Sequence, residues 1–221
     1  YVRKRLKNEN YNILHQGNLP CTDIRDGNLA TKHYGTLAQR ALSIKPLDLP
    51  RLSEKAEKSF SNEFQTTFDD AIDSNTLMNV TEYYNSLNIE DNDKDPFMLE
   101  KEWRSSTCVK LFPGTYCAKM TNGSIVINGF FPAMRAKYTN EDMAPNGIHW
   151  FVVEWEEGNS GATWETFRTT FIGATNPSKA IKESIRGQLF TNWEEMKLSK
   201  PPEGSDNGVH ASASPVEAAY E

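Results

Sequence analysis

The run Ile148–Trp155, reading IHWFVVEW, constrains the fold more than any other part of the chain. A continuous stretch of apolar, β-branched and aromatic residues of this length is the pattern of a buried strand, and it predicts the central strand of the chain. Other β-like runs can pair with strands: Tyr11 to Leu14 near the start, and Cys108 to Met120 with Ser124 to Asn128 in the middle. The last two are separated by Thr121-Asn122-Gly123, and an Asn-Gly pair between β-like runs predicts a hairpin.

Helical spacing fills much of the remainder. Residues 1–10 read as a basic helix end. After the turn residues Asp26, Gly27 and Asn28, the positions Leu29, Tyr34, Leu37, Ala38 and Leu42 predict one helix over Leu29 to Leu42. Between Lys45 and Asp95 the composition turns polar and acidic. Within that stretch Phe60, Phe64, Phe68, Ala71 and Ile72 predict an amphipathic helix from Leu52 to Asp73, with a shorter one over Thr76 to Leu87. Further helices are predicted over Phe130 to Tyr138, from Thr163 or Ala162 through Phe171 to a stop at Gly173, and over Pro177 to Ile185. Residues 199–208 read as loop.

Charge and cysteine usage exclude several classes. A formal net charge of -6 opposes a broad grip on nucleic acid, which needs a basic face. No stretch approaches the ~20 consecutive apolar residues of a membrane span, and the N-terminal residues lack the apolar core of a signal peptide. Cys21, Cys108 and Cys117 show no metal-site spacing, so a reducing, cytoplasmic setting is expected and no protein metal cage.

The end of the chain gathers Arg168, Thr175, Arg186, Asn207 and His210 around glycine-rich loops. Planar guanidinium groups suit phosphate oxygens, and a neutral imidazole is a good nitrogen nucleophile near neutral pH, so the set suggests phosphoryl transfer. Singly, each residue is weak evidence, because a lone histidine or arginine in a loop is usually solvated or structural.

Their order and local wording are more specific. Phe167 to Pro177 (FRTTFIGATNP) resembles the nucleoside diphosphate kinase helix and loop ending in G-x-T-N/D-P. Ser184-Ile185-Arg186-Gly187 is similar to that family's S/T-I-R-G. Asn207 to Ser214 (NGVHASAS) resembles its N-x-x-H-G-S-D-S signature, with Glu221 at the spacing of its histidine-orienting glutamate. Upstream, Lys32-His33-Tyr34 before Leu37 looks like its H-Y-x-x-L. Its paired phenylalanines correspond to Phe130 and Phe131, which arrive late, so residues 43–127 are expected to be an insertion.

The resemblance implies an α+β fold, with a ferredoxin-like antiparallel sheet, helices packed on it, and a mixed helical and β-hairpin insertion in a single domain over 1–221. It implies ping-pong transfer of a terminal phosphate between nucleoside tri- and diphosphates through phosphorylated His210, with Glu221 and Ser212 orienting the ring. Arg168, Thr175 and Arg186 would bind phosphates, Asn207 the ribose and phosphate end, Tyr34 the pocket, and Phe130 or Phe131 the base. Magnesium would bridge the phosphates, and a homo-oligomer is possible within this family.

Three departures bear on these expectations. The family's first strand, with its phosphate-binding lysine, has no counterpart, which predicts that roughly 20 residues precede Tyr1 in the natural chain. The family's Gly and Asp after the histidine are Ala211 and Ala213 here, and the loop between Arg186 and Asn207 is long. The alternative reading is therefore a weak or inactive nucleotide-binding or assembly module of the same fold.

Overall fold

Helix α1 (Val2–Asn8) opens the computed structural model, carrying Arg5 and Lys7 in its last turn where cations meet the negative end of the helix dipole. Strand β1 (Asn12–Leu19) follows. Residues 1–90, 93–143, 147–156, 162–204 and 206–220 are described. The chain divides into two compact units, one of Tyr1–Leu19 with His149–Glu221, the other of Pro20–Ile148.

The 20–148 unit begins with α2 (Cys21–Asp26), α3 (Leu29–His33) and α4 (Gly35–Leu42). The single helix expected over Leu29 to Leu42 is thus two, because Tyr34 leaves helical geometry at φ -96° and ψ 37°. The amphipathic helix expected over Leu52 to Asp73 is also two, α5 (Glu54–Phe64) and α6 (Phe68–Asp73). Gln65 turns left-handed at φ 59°, and the Thr67 hydroxyl then accepts from Asp70 N to start α6 afresh.

Strand β2 (Leu77–Met78) leads into α7 (Val80–Ser86), opened by a capping box in which Asn79 and Glu82 each accept from the other's backbone N–H. Helix α8 (Pro96–Ser105) starts on the Asp95 side chain with proline in its first turn. Strands β3 (Val109–Phe112) and β4 (Thr115–Lys119) turn at Pro113-Gly114, and β4 joins β5 (Ile125–Ile127) antiparallel through the expected hairpin at 121–123. Helix α9 (Phe131–Thr139) closes the unit.

Its sheet runs β2-β5-β4-β3, with β2 parallel to β5 and the other pairs antiparallel. Phe60, Phe64 and Phe68 pack on one face with Val109, Leu111, Cys117, Ile125 and Ile127. Tyr83, Tyr84, Leu99 and Trp103 pack with Ala118, Met120 and Val126. Alternate strand residues divide between these two clusters, so the sheet is buried on both faces. Trp103 donates its indole N–H to Val126 O at 2.7 Å. Fully buried Asn128 donates to Leu37 O at 3.3 Å and Gly114 O at 3.1 Å while accepting from Tyr116 N at 2.9 Å. The segment 43–127 lies in this unit with α2, α3, α4 and α9.

In the other unit, β6 (Ile148–Glu154) pairs with β1 in a two-stranded sheet. Trp150 is 41% exposed and Val152 44%, whereas Phe151, Val153 and Trp155 pack on the core. The expectation of a buried central strand is corrected among the described residues: β6 has one strand neighbour and one packed face. Helix α10 (Trp164–Thr166) runs into a π-helical turn, Phe167–Ile172, then come α11 (Ile185–Thr191) and α12 (Pro215–Tyr220).

An aromatic ladder forms this core. Trp164 stacks on Trp155 at 5.1 Å, Trp155 on Phe167 at 4.7 Å and Phe167 on Phe171 at 5.5 Å, with the Tyr11 ring against Trp155, Phe167 and Phe171. Helices with antiparallel and mixed strand pairing make the chain α+β. No helix among the described residues is long and apolar enough to cross a membrane.

Candidate phosphohistidine site

Residues 207–214 carry no regular secondary structure, and side chains from other elements fix their main chain. Ser184 caps α11 by accepting from Gly187 N at 3.1 Å, which sets Arg186 in the first turn, buried at 7% exposure. Its Nε and Nη2 both donate to Val209 O, at 3.2 and 2.7 Å, and its Nη1 donates to Gly173 O at 2.8 Å. A guanidinium can span two acceptors in one plane, and a buried one needs such partners.

Arg168 reaches the other side of the histidine. It projects from the π-helical turn, where Gly173 N donates to Arg168 O at 3.1 Å. Such turns are frequent at functional sites. Arg168 Nη1 donates to Ala211 O at 2.7 Å, so His210 lies between two carbonyls held by the two motif arginines. Val209 and Ala211 pack toward the core, and His210 is exposed.

The motifs also interlock. Gly173 sits at φ 98°, and a Cβ there would stand 2.3 Å from Ser184 Oγ, so only glycine lets these two segments meet. Asn207 Nδ2 donates to Thr175 O at 3.3 Å, joining the Thr175 loop to the start of the histidine segment. Thr175 is exposed and Ser212 half-buried. Glu221 lies outside the described residues.

Comparison with known proteins gives no match. No family model, curated protein or solved structure is similar to the chain at a significant level.

Arg168, Thr175, Arg186, Asn207, His210 and Ser212 all fall in one unit. Tyr34 and Phe130 belong to the other. Tyr34 packs there with Ala38, Ala41, Phe131 and Met134, its ring edge-on to His33. Phe130 is half-buried, 5.4 Å from the Trp103 ring, with the Arg104 guanidinium over it at 6.0 Å, and Phe131 is fully buried.

Sequence reasoning missed two residues of the site. Trp164 Nε1 donates to Ala213 O at 3.0 Å, and the Glu217 carboxylate accepts from Ala213 N while Glu217 N donates to Ser214 Oγ at 3.1 Å. Ser214-x-x-Glu217 is a capping-box spacing that could have flagged the second. Nothing local could have flagged Trp164, whose partner is distant in sequence.

Among the described residues no group of His, Cys, Asp and Glu is arranged to hold a metal. Burial pushes the Cys117 thiol well above its ordinary range and raises Cys108 as well, which suits unreactive thiols.

Proposed function

We propose that the chain is a nucleoside diphosphate kinase whose nucleophile is His210. In the first half-reaction a ring nitrogen of His210 attacks the terminal phosphorus of a nucleoside triphosphate. The N–P bond forms as the phosphorus–oxygen bond to the diphosphate breaks, and the diphosphate leaves. In the second, a terminal oxygen of another nucleoside diphosphate attacks the same phosphorus, the N–P bond breaks and His210 is regenerated.

The observation that supports this reading most is the convergence of Arg168 and Arg186, from separate elements, on the carbonyls either side of exposed His210. Among the described residues the Arg168 side chain makes one hydrogen bond, from Nη1, so its other N–H donors suit phosphate oxygens. Thr175 and Asn207 supply polar groups beside the same segment. Magnesium, when bound with the nucleotide, neutralises phosphate charge. The finer fold belongs to the same proposal: β1 and β6 would be two strands of a ferredoxin-like sheet, with 43–127 inserted.

A second reading has its own support. Arg186 is buried with its guanidinium on main-chain carbonyls, the position of a structural brace, and Ala211 and Ala213 replace a glycine and a carboxylate of the family signature. An inactive nucleotide-binding or assembly module would keep these features. Incubation with γ-labelled ATP separates the two: an acid-labile, alkali-stable phosphate on His210 is expected, and its absence with intact nucleotide binding would select the inactive module.

A further inference from the structure

Three carbonyls of the histidine segment are held by side chains, and they alternate: Val209 O by Arg186, Ala211 O by Arg168 and Ala213 O by Trp164. The third donor comes from none of the motifs. Trp164 stands in the first turn of α10, whose N-cap Thr163 accepts from Thr166 N at 3.2 Å, and its ring lies on the Trp155 end of the aromatic ladder. The indole therefore has a fixed plane, and its N–H points at one carbonyl.

We propose that Trp164 is a positioning residue for His210. With Arg168 it holds the main chain at 211 and 213, on the C-terminal side of the imidazole, and Glu217 takes the N–H of the same Ala213. Both backbone polar groups of Ala213 are thereby committed to side chains, so the segment leaving His210 cannot rotate without breaking contacts to two elements. A nucleophile on an irregular segment needs this support, since a displacement of about 1 Å is enough to cost a large part of the rate. The effect on turnover rests on the proposed kinase reading, whereas the effect on His210 does not.

The molecule supplies its own control. Trp155 Nε1 donates to Ala162 O at 3.0 Å, an indole-to-carbonyl bond in the same stack whose acceptor is not in the histidine segment. Trp164→Phe and Trp155→Phe each keep an aromatic ring and remove one N–H donor. The experiment compares the ring resonances of the four histidines by NMR in both variants and in the parent, beside thermal melts and steady-state nucleotide exchange.

Trp164→Phe is expected to shift or broaden His210 alone, and to lower kcat by about fivefold with KM within about twofold, the scale of one lost hydrogen bond. Trp155→Phe keeps a ring against Trp164 and the Trp164 N–H on Ala213 O, and is expected to move His210 clearly less. An unchanged His210 in Trp164→Phe, or an equal change in Trp155→Phe, would overturn the proposal. Should the parent show no exchange while Trp164→Phe moves His210 more than Trp155→Phe does, the kinase reading fails and the positioning role stands.

Discussion

Arg186 and Val209 are joined twice: Nε at 3.2 Å and Nη2 at 2.7 Å donate to the same carbonyl oxygen. With the third bond to Gly173 O, this buried side chain ties two of the sequence motifs to α11. Arg186→Ala would leave both carbonyls without that donor, and a stability loss of roughly 2–4 kcal/mol is expected in a denaturant melt. Arg186→Lys keeps the charge and loses the planar fork, so exchange should fall by roughly tenfold or more. Parent stability and turnover in both variants would contradict this arrangement.

Arg168 is half-buried, with one side-chain hydrogen bond among the described residues, and its substitution should separate function from stability. Arg168→Lys is expected to lower exchange by about tenfold while the melt moves by less than ~0.5 kcal/mol. An equal loss of stability would make Arg168 a brace like Arg186.

His210 is exposed, so truncating it removes little packing. His210→Ala should abolish exchange between a triphosphate and a diphosphate and leave stability within ~0.5 kcal/mol, because a covalent intermediate has no substitute nucleophile. Retained turnover would end the phosphohistidine mechanism.

Gly187 follows Arg186 in α11 and passes close to the preceding loop. A Cβ there would stand 2.1 Å from Ile181 O and 2.9 Å from Ile181 C, both backbone atoms. Gly187→Ala must move α11 or the loop, and a cost of ~2–3 kcal/mol is expected despite the better helix propensity of alanine. A melt equal to the parent's would show that the loop yields freely.

Burial, then the charge of Asp95 and the neighbouring Tyr83, push the Tyr84 hydroxyl from 10.0 up to about 12. The folded state thus holds this proton more tightly than the unfolded chain. Below pH about 10 both states are protonated and the contribution is complete; from there to about 12 the unfolded chain ionises first and stability falls as pH rises. Tyr84→Phe should flatten that part of the stability-versus-pH curve, measured by denaturant melts at stepped pH. An unaltered slope would place the titration elsewhere.

The elements legible in the sequence were those with local signals. The hairpin at Asn122-Gly123 and the strand at 148–154 stand as read, because turn chemistry and β-branched runs act over a few residues. The breaks at Tyr34 and Gln65 were hidden, since apolar spacing continues across them and the deciding feature is one residue's backbone conformation. Helix α8 has a start signal in Asp95-Pro96, but its apolar positions are too few to mark a helical face by spacing. Burial of 148–155 could not be judged from its residues alone, as it depends on what packs on each face.

The site followed the same division. The order of motifs drew attention to Arg168, Arg186, Asn207 and His210, and the structure brings them to one short segment of main chain. The geometry differs from the reading in what the arginines touch, which is carbonyl oxygen, an acceptor that sequence patterns do not display. Trp164 escaped notice for the same reason.

The tryptophans are unevenly shared between the two units, with Trp150, Trp155, Trp164 and Trp193 in one and Trp103 alone in the other. Indole emission from the unit carrying His210 will therefore outweigh that of its companion. Trp103, buried and bonded to Val126 O, is the one tryptophan of the 20–148 unit. With Trp103 replaced by Phe, indole emission excited at wavelengths that tyrosine does not absorb comes from the histidine-bearing unit, and subtracting it from the parent's leaves the Trp103 signal, so loss of order in each unit can be followed by light without any added dye.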